Sequence, residues 1–89
     1  MTNTEALEEI RRLATQDRVY LTGHARKQCR DRGASRQHVV HALTRAQDCK
    51  PGQKPERWEV WGPDLDGDRL DMAVSIQFDV IVITVFEQY

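Results

Sequence analysis

Cysteine is scarce in this chain of 89 residues: there are two, Cys29 and Cys49. A single pair does not build the disulfide framework of a small secreted domain, so the fold has to rest on a hydrophobic core. Both thiols are expected to be reduced, and the expected compartment is the cytoplasm. Three prolines and five glycines are too few for a collagen-like or low-complexity chain. At this length a chain buries only about 60–65% of its unfolded surface, so the core is thin. That argues against two domains around a deep cofactor cleft, and residues 1–89 read as one domain. No apolar run approaches the ~20 residues of a membrane span. The opening MTNTEALEEIRRL is charged throughout and lacks the apolar stretch of a secretory leader. Neither sign of charge dominates, with 13 Lys+Arg against 14 Asp+Glu.

The balance hides a separation. Residues 1–15 carry a net charge of -1, residues 16–49 carry +4 and residues 50–89 carry -4. His24, His38 and His41 all lie in the basic middle. A cationic face of this kind attracts a polyanion such as RNA; the plainer alternative is a solvated helix face paired with acids of the later segment.

The hydrophobic pattern changes along the chain. Ala6, Leu7, Ile10, Leu13 and Ala14 form a helical stripe, and Thr2 with Glu5 forms a capping box, which predicts a helix over about 3–15. RVYLT at 18–22 alternates as a short strand. HARKQCRDR then reads as a helix, with Thr22 or Gly23 as N-cap and Gly33 as its stop. Ser35 precedes a third helix expected over about 36–47. KPGQKP at 50–55 reads as a loop. Beyond it the period is two: a strand at 58–61, a turn-rich GPDLDGD at 62–68, a strand at 69–78 with Leu70, Met72, Val74 and Ile76 on one face, and an apolar strand at 80–86. Helices first and strands afterwards argue for an α+β fold: two or three N-terminal helices on a twisted antiparallel sheet of about four strands.

Four groups of residues carry chemistry worth weighing. His24, Arg26, Arg30 and Arg32 share one short helix. A histidine beside guanidinium groups suits RNA cleavage without metal, the base taking the 2′-OH proton and the arginines stabilising phosphorane charge. Tyr20, His38, His41 and Tyr89 are candidates to protonate the leaving group. The alternative is that His24 packs or caps the helix and the arginines pair with acids. His38, His41, Cys29 and Cys49 match no zinc spacing, so no metal is expected, and His41 is expected to face solvent. DLDGD lacks the closing glutamate of a calcium loop and reads as a plain turn. Cys29 sits among arginines that would lower its pKa, yet at a core position of its helix, so it reads as inert. Trp58 and Trp61 point to opposite sides of a strand; one is expected in the core and the other is a candidate contact for RNA or a protein.

The segment TGHARKQCRDRGASRQHVVHAL, with the later GDRLDMAV and VIVITV, resembles the bacterial family called domain of unknown function 4258. The likeness runs over about residues 18–87. Its motif reads His-Ala-x-x-Arg-x-x-x-Arg-Gly-Ile-Ser; His24, Arg32 and Thr84 match family positions, Gln28 stands where the first arginine would be, and Ala34 where the isoleucine would be. That family is grouped with the RelE-like toxin superfamily, which implies a RelE-like fold and a type II toxin-antitoxin system toxin: a cytoplasmic, metal-independent endoribonuclease cutting mRNA, often on the ribosome, needing no cofactor and neutralised by a small cognate antitoxin. The resemblance implies His24 as base or phosphate binder and Arg32, with Arg26 or Arg30, as transition-state stabiliser. Arg57, Arg69, Thr84, Tyr89 and Trp61 would place RNA on the sheet. The rival, favoured by Gln28 and the net charge of -1, is a non-catalytic binding module of the same fold that contacts a protein or nucleic acid. An exposed sheet edge would admit a homodimer or an antitoxin strand.

Overall fold

A computed structural model describes residues 1–86. The first helix, α1 (Asn3–Thr15), begins where expected and for the expected reason. The Glu5 N–H donates to Thr2 Oγ1 at 3.1 Å and the Thr2 N–H donates to Glu5 Oε1 at 2.8 Å. These two bonds satisfy orphan amides of the first turn, and the Thr2 N–H, with the Thr2 side chain adding to it, holds the Glu5 carboxyl below its ordinary pKa. Ala6, Ile10, Leu13 and Ala14 bury the inner stripe. Asp17 turns the chain with φ +59°, a left-handed conformation that aspartate tolerates better than most residues. Arg36 braces that turn through Asp17 Oδ1 and the Val19 carbonyl, each at 2.8 Å.

The chain then runs through β1 (Val19–Leu21), α2 (Gly23–Asp31) and α3 (Arg36–Thr44). Thr22 makes the change from strand to helix. Its N–H pairs with the Val82 carbonyl at 3.0 Å, and its Oγ1 accepts from the Ala25 N–H at 3.2 Å. Gly33 (φ +71°) ends α2, with Ala34 N–H returning to the Cys29 carbonyl at 2.8 Å. That six-to-one bond is the glycine stop seen in the sequence. Ser35 occupies the N-cap of α3, but its side chain makes no capping bond. Helix α3 stops at Thr44, short of the expected 47, because Gln47 already pairs with the Trp61 carbonyl at 2.8 Å.

The sheet comprises β1, β2 (Asp48–Pro51), β3 (Trp58–Pro63), β4 (Arg69–Gln77) and β5 (Asp79–Phe86), in the order β1-β5-β4-β3-β2. The fold is α+β, with three helices on a mixed sheet of five strands. The expectation of about four antiparallel strands is corrected at both edges. Strand β1 pairs parallel to β5, Val19 opposite Val80, because α2, α3 and three strands intervene and bring β5 back beside it. Strand β2 occupies Lys50 and Pro51, which composition assigns to a loop. Proline is tolerated there because β2 is an edge strand. At the two edges, β2 is four residues long and ends in proline, and Arg36 occupies the outward Val19 carbonyl of β1.

The inner face of the sheet presents Val60, Leu70, Met72, Val74, Val80, Val82 and Val85 to Ile10, Leu13, Val39 and Leu43, all essentially buried. Gly62 lets α3 approach β3: a Cβ built there would lie 2.0 Å from the Ala42 carbonyl oxygen. Gly62 and Pro63 therefore belong to β3 rather than to the turn. A bulge at Ala73/Val74 shifts the β4–β5 register. The extra residue is Ile83 in β5, between Val82 opposite Val74 and Thr84 opposite Ala73; Ser75 is buried, and its Oγ accepts from Gln77 Nε2 at 3.0 Å.

Candidate nucleic-acid interface

Helix α2 buries only Ala25 and Cys29. His24, Arg26, Lys27 and Arg30 are exposed along it. At about 100° per residue, Arg26 and Arg30 fall within about 40° of each other but about 160° and 120° from His24; Lys27, about 60° away, is the neighbouring cation of His24. The helix thus brings Arg26, Lys27 and Arg30 together and does not bring His24 to the two arginines. The side chains of these three cations have no ion-pair or hydrogen-bond partner among the described residues.

Arg32 lies just past α2 and is drawn inward. Its Nη1 donates to the Phe86 carbonyl at 2.6 Å. Gln28 Oε1 accepts from the Val85 N–H at 2.8 Å, and Thr22 Oγ1 donates to the Ile83 carbonyl at 3.2 Å. The reason is topological. Strand β1 pairs with β5 only as far as Val82, which leaves the edge of β5 beyond it without a strand. Thr22, Gln28 and Arg32 supply the missing partners. Gln28, read in the sequence as a departure from an arginine position, is the side chain that satisfies a buried-edge amide.

Burial decides the state of both thiols. Cys29 is raised above its ordinary pKa by desolvation, which outweighs the opposing effect of Arg32. The expectation that nearby arginines lower it is therefore reversed. Cys49 is pushed up to about 11 by desolvation, with Asp48 adding to the effect.

The face of the sheet away from the helices collects the other proposed residues. Cross-strand pairing aligns Asp48, Trp61, Asp71 and Phe86 in one row and Lys50, Glu59, Ala73 and Thr84 in the next. Arg69 lies 4.2 Å from the Trp61 ring centroid and pairs with Asp71 at 3.0 Å. That pairing raises the Arg69 pKa. Trp61 and Arg69 border a hollow of about 140 Å³ with Asp48, Lys50 and Glu59. Arg57 and Thr84 border a second of about 290 Å³ with Lys54 and Glu59. Glu59 and Phe86 are common to both. Trp58, opposite Val74, packs against the core instead. Tyr89 lies outside the described residues.

The remaining histidines are structural partners of the β3–β4 region. His41 is half-buried rather than free in solvent: Nδ1 lies 3.0 Å from the Pro63 carbonyl and Nε2 accepts from Arg45 Nε at 3.0 Å. Both contacts are satisfied when the proton sits on Nδ1. Tyr20 is exposed on β1. DLDGD is a turn, as expected, with the Asp66 and Asp68 N–H groups donating to Asp64 Oδ1 at 2.9 and 3.0 Å. His38, His41, Cys29 and Cys49 make no common cluster within metal-binding distance among the described residues. Compared with family models, curated proteins and solved structures, the chain matches none of them.

Proposed function

We propose that this protein is a nucleic-acid-binding module that holds single-stranded RNA through the outer surface of α2. The supporting observation is that Arg26, Lys27 and Arg30 stand exposed on one helix surface without an ion pair among the described residues, against a single acid, Asp31. Phosphate contacts of this kind supply affinity without base specificity and make it depend on salt. The open sheet face is less suited to a polyanion, because Asp48, Glu59 and Asp71 stand among its cations. Anisotropy titration with a labelled single-stranded RNA tests the proposal. The triple variant R26S/K27S/R30S should bind at least about tenfold more weakly, and its salt slope should fall by about 2, near 0.7 for each lost contact. Equal binding by wild type and variant would remove α2 from the interface.

A second reading is the toxin-like endoribonuclease of mRNA, with a small antitoxin as partner. It draws on His24, exposed in the first turn of α2 with Lys27 one turn on. His24 would take the 2′-OH proton, Lys27 would stabilise charge on the phosphorane, and the P–O5′ bond would break as the leaving 5′-oxygen takes a proton from water. Induced expression in a bacterial host, wild type beside H24A, separates the readings. Growth arrest with mRNA loss in the wild type alone favours the enzyme; intact mRNA and normal growth from folded protein favour the binding module.

A further inference from the structure

We propose that His38, Asp64 and Asp66 form a binding site for a borderline divalent cation, with Zn²⁺ the best match. The site joins the first turn of α3 to the β3–β4 turn and uses no residue of α2, so it stands apart from the RNA reading. The ligand atoms, one from each residue, all lie within 4.8 Å of one another.

One buried nitrogen and the carboxylate beside it point to a cation. His38 Nδ1 is shielded from solvent and has no hydrogen-bond partner among the described residues. It faces Asp64 Oδ2 at 3.8 Å, and the Asp64 side chain is only 9% exposed. Asp64 Oδ1 is engaged by the Asp66 and Asp68 amides, and this fixes the direction of Oδ2. At 3.8 Å the two atoms are within ion-pair range but too far apart for a hydrogen bond. A hydrogen bond needs about 2.7–3.2 Å, and an unprotonated nitrogen would aim its lone pair at a carboxylate. A cation bonded to both at about 2.1 Å sets its ligands about 3.0–4.2 Å apart as the bond angle opens from a right angle to a straight line.

Asp66 is exposed and completes the set from the solvent side. One imidazole and two carboxylates favour zinc or a neighbouring transition metal over magnesium or calcium, which take oxygen ligands in larger number. Three protein ligands leave positions for water. The amides on Asp64 Oδ1 orient this ligand as outer-shell partners do in metal sites. The sequence spacing hid the arrangement because the histidine and the two acids come from segments that meet only when α3 seats on β3.

The test uses the chain without a histidine tag, dialysed against a chelator and titrated with ZnCl₂ by calorimetry. Thermal melts and Co²⁺ absorption accompany the titration. The expected result is one Zn²⁺ per chain and a melting temperature raised by more than about 5 °C at a hundredfold excess over Kd. Co²⁺ should show the visible bands of a protein-ligated ion. Asp66→Asn, at an exposed ligand, should melt like wild type without metal and bind at least about tenfold more weakly. His38→Gln should abolish the stoichiometric site, and His24→Ala should leave it unchanged. Absence of stoichiometric binding to wild type would overturn the proposal, as would equally tight binding by D66N and H38Q.

Discussion

Helices α2 and α3 are each nine residues long, yet they are held by different physics. Helix α3 is seated by shape: Val39, Ala42 and Leu43 are fully buried, and the Ala42 carbonyl rests against the bare Cα of Gly62. Helix α2 buries two small side chains and is tied by Thr22, Gln28 and Arg32 to the open edge of β5. A helix held by polar contacts at a sheet edge needs little apolar surface. Its outer side is then free to carry charge, and α2 holds Arg26, Lys27 and Arg30 there.

The contrast breaks most severely at Gly62. A valine there drives its Cβ into the α3 backbone, which cannot yield as a flexible side chain would. G62V should lose more than about 3 kcal/mol, beyond the ordinary cost of overpacking, read as a shift in the urea midpoint. A midpoint within experimental error of wild type would show that α3 is not seated by this contact. On the other helix, Gln28→Leu keeps the volume but leaves the Val85 N–H without its acceptor. It should cost about 1–3 kcal/mol in the same measurement. The RNA-binding variant R26S/K27S/R30S should fall within about 0.5 kcal/mol of wild type, since it touches no native contact. Loss of stability there would mean that the three cations support the fold rather than a ligand.

The ends of elements were readable wherever a side chain acts on its own neighbours. Thr2 with Glu5, Thr22 before α2 and Gly33 after it are local signals, and each functions as its chemistry suggests. The strand at Lys50 and Pro51 was not readable, because its extended form comes from pairing with Trp58 and Glu59. Period-two patterning likewise gave no partner or direction for β1. The candidate site divides in the same way. The basic character of α2 is present in the residue string, while the separation of His24 from Arg26 and Arg30 follows only from the helical angle. The uses of Gln28, His41 and His38 depend on groups far away in sequence, so no spacing rule reports them.

The two cysteines offer the finest test of the contrast. Their residue exposures are nearly equal, 4% for Cys29 and 3% for Cys49, so static access does not separate them. Cys29 lies on the buried face of α2 and is uncovered when the three polar ties release. Cys49 lies in β2 within the core cluster and is reached only by a larger opening. Local opening of a weakly packed element costs less than global unfolding, so iodoacetamide under native conditions should label Cys29 first. Thiolate chemistry acts in the same direction, because Cys49 ionises only near pH 11 while folded. That raised pKa also fixes a sign: the stability linked to Cys49 is complete below its unfolded value and is lost as pH rises from there through about 11. Q28L should speed labelling of Cys29 and leave Cys49 little changed, as read by mass spectrometry of the labelled peptides. If both cysteines react at one rate, and Q28L moves them together, α2 opens only with the whole domain and the two helices do not differ in the way their contacts imply.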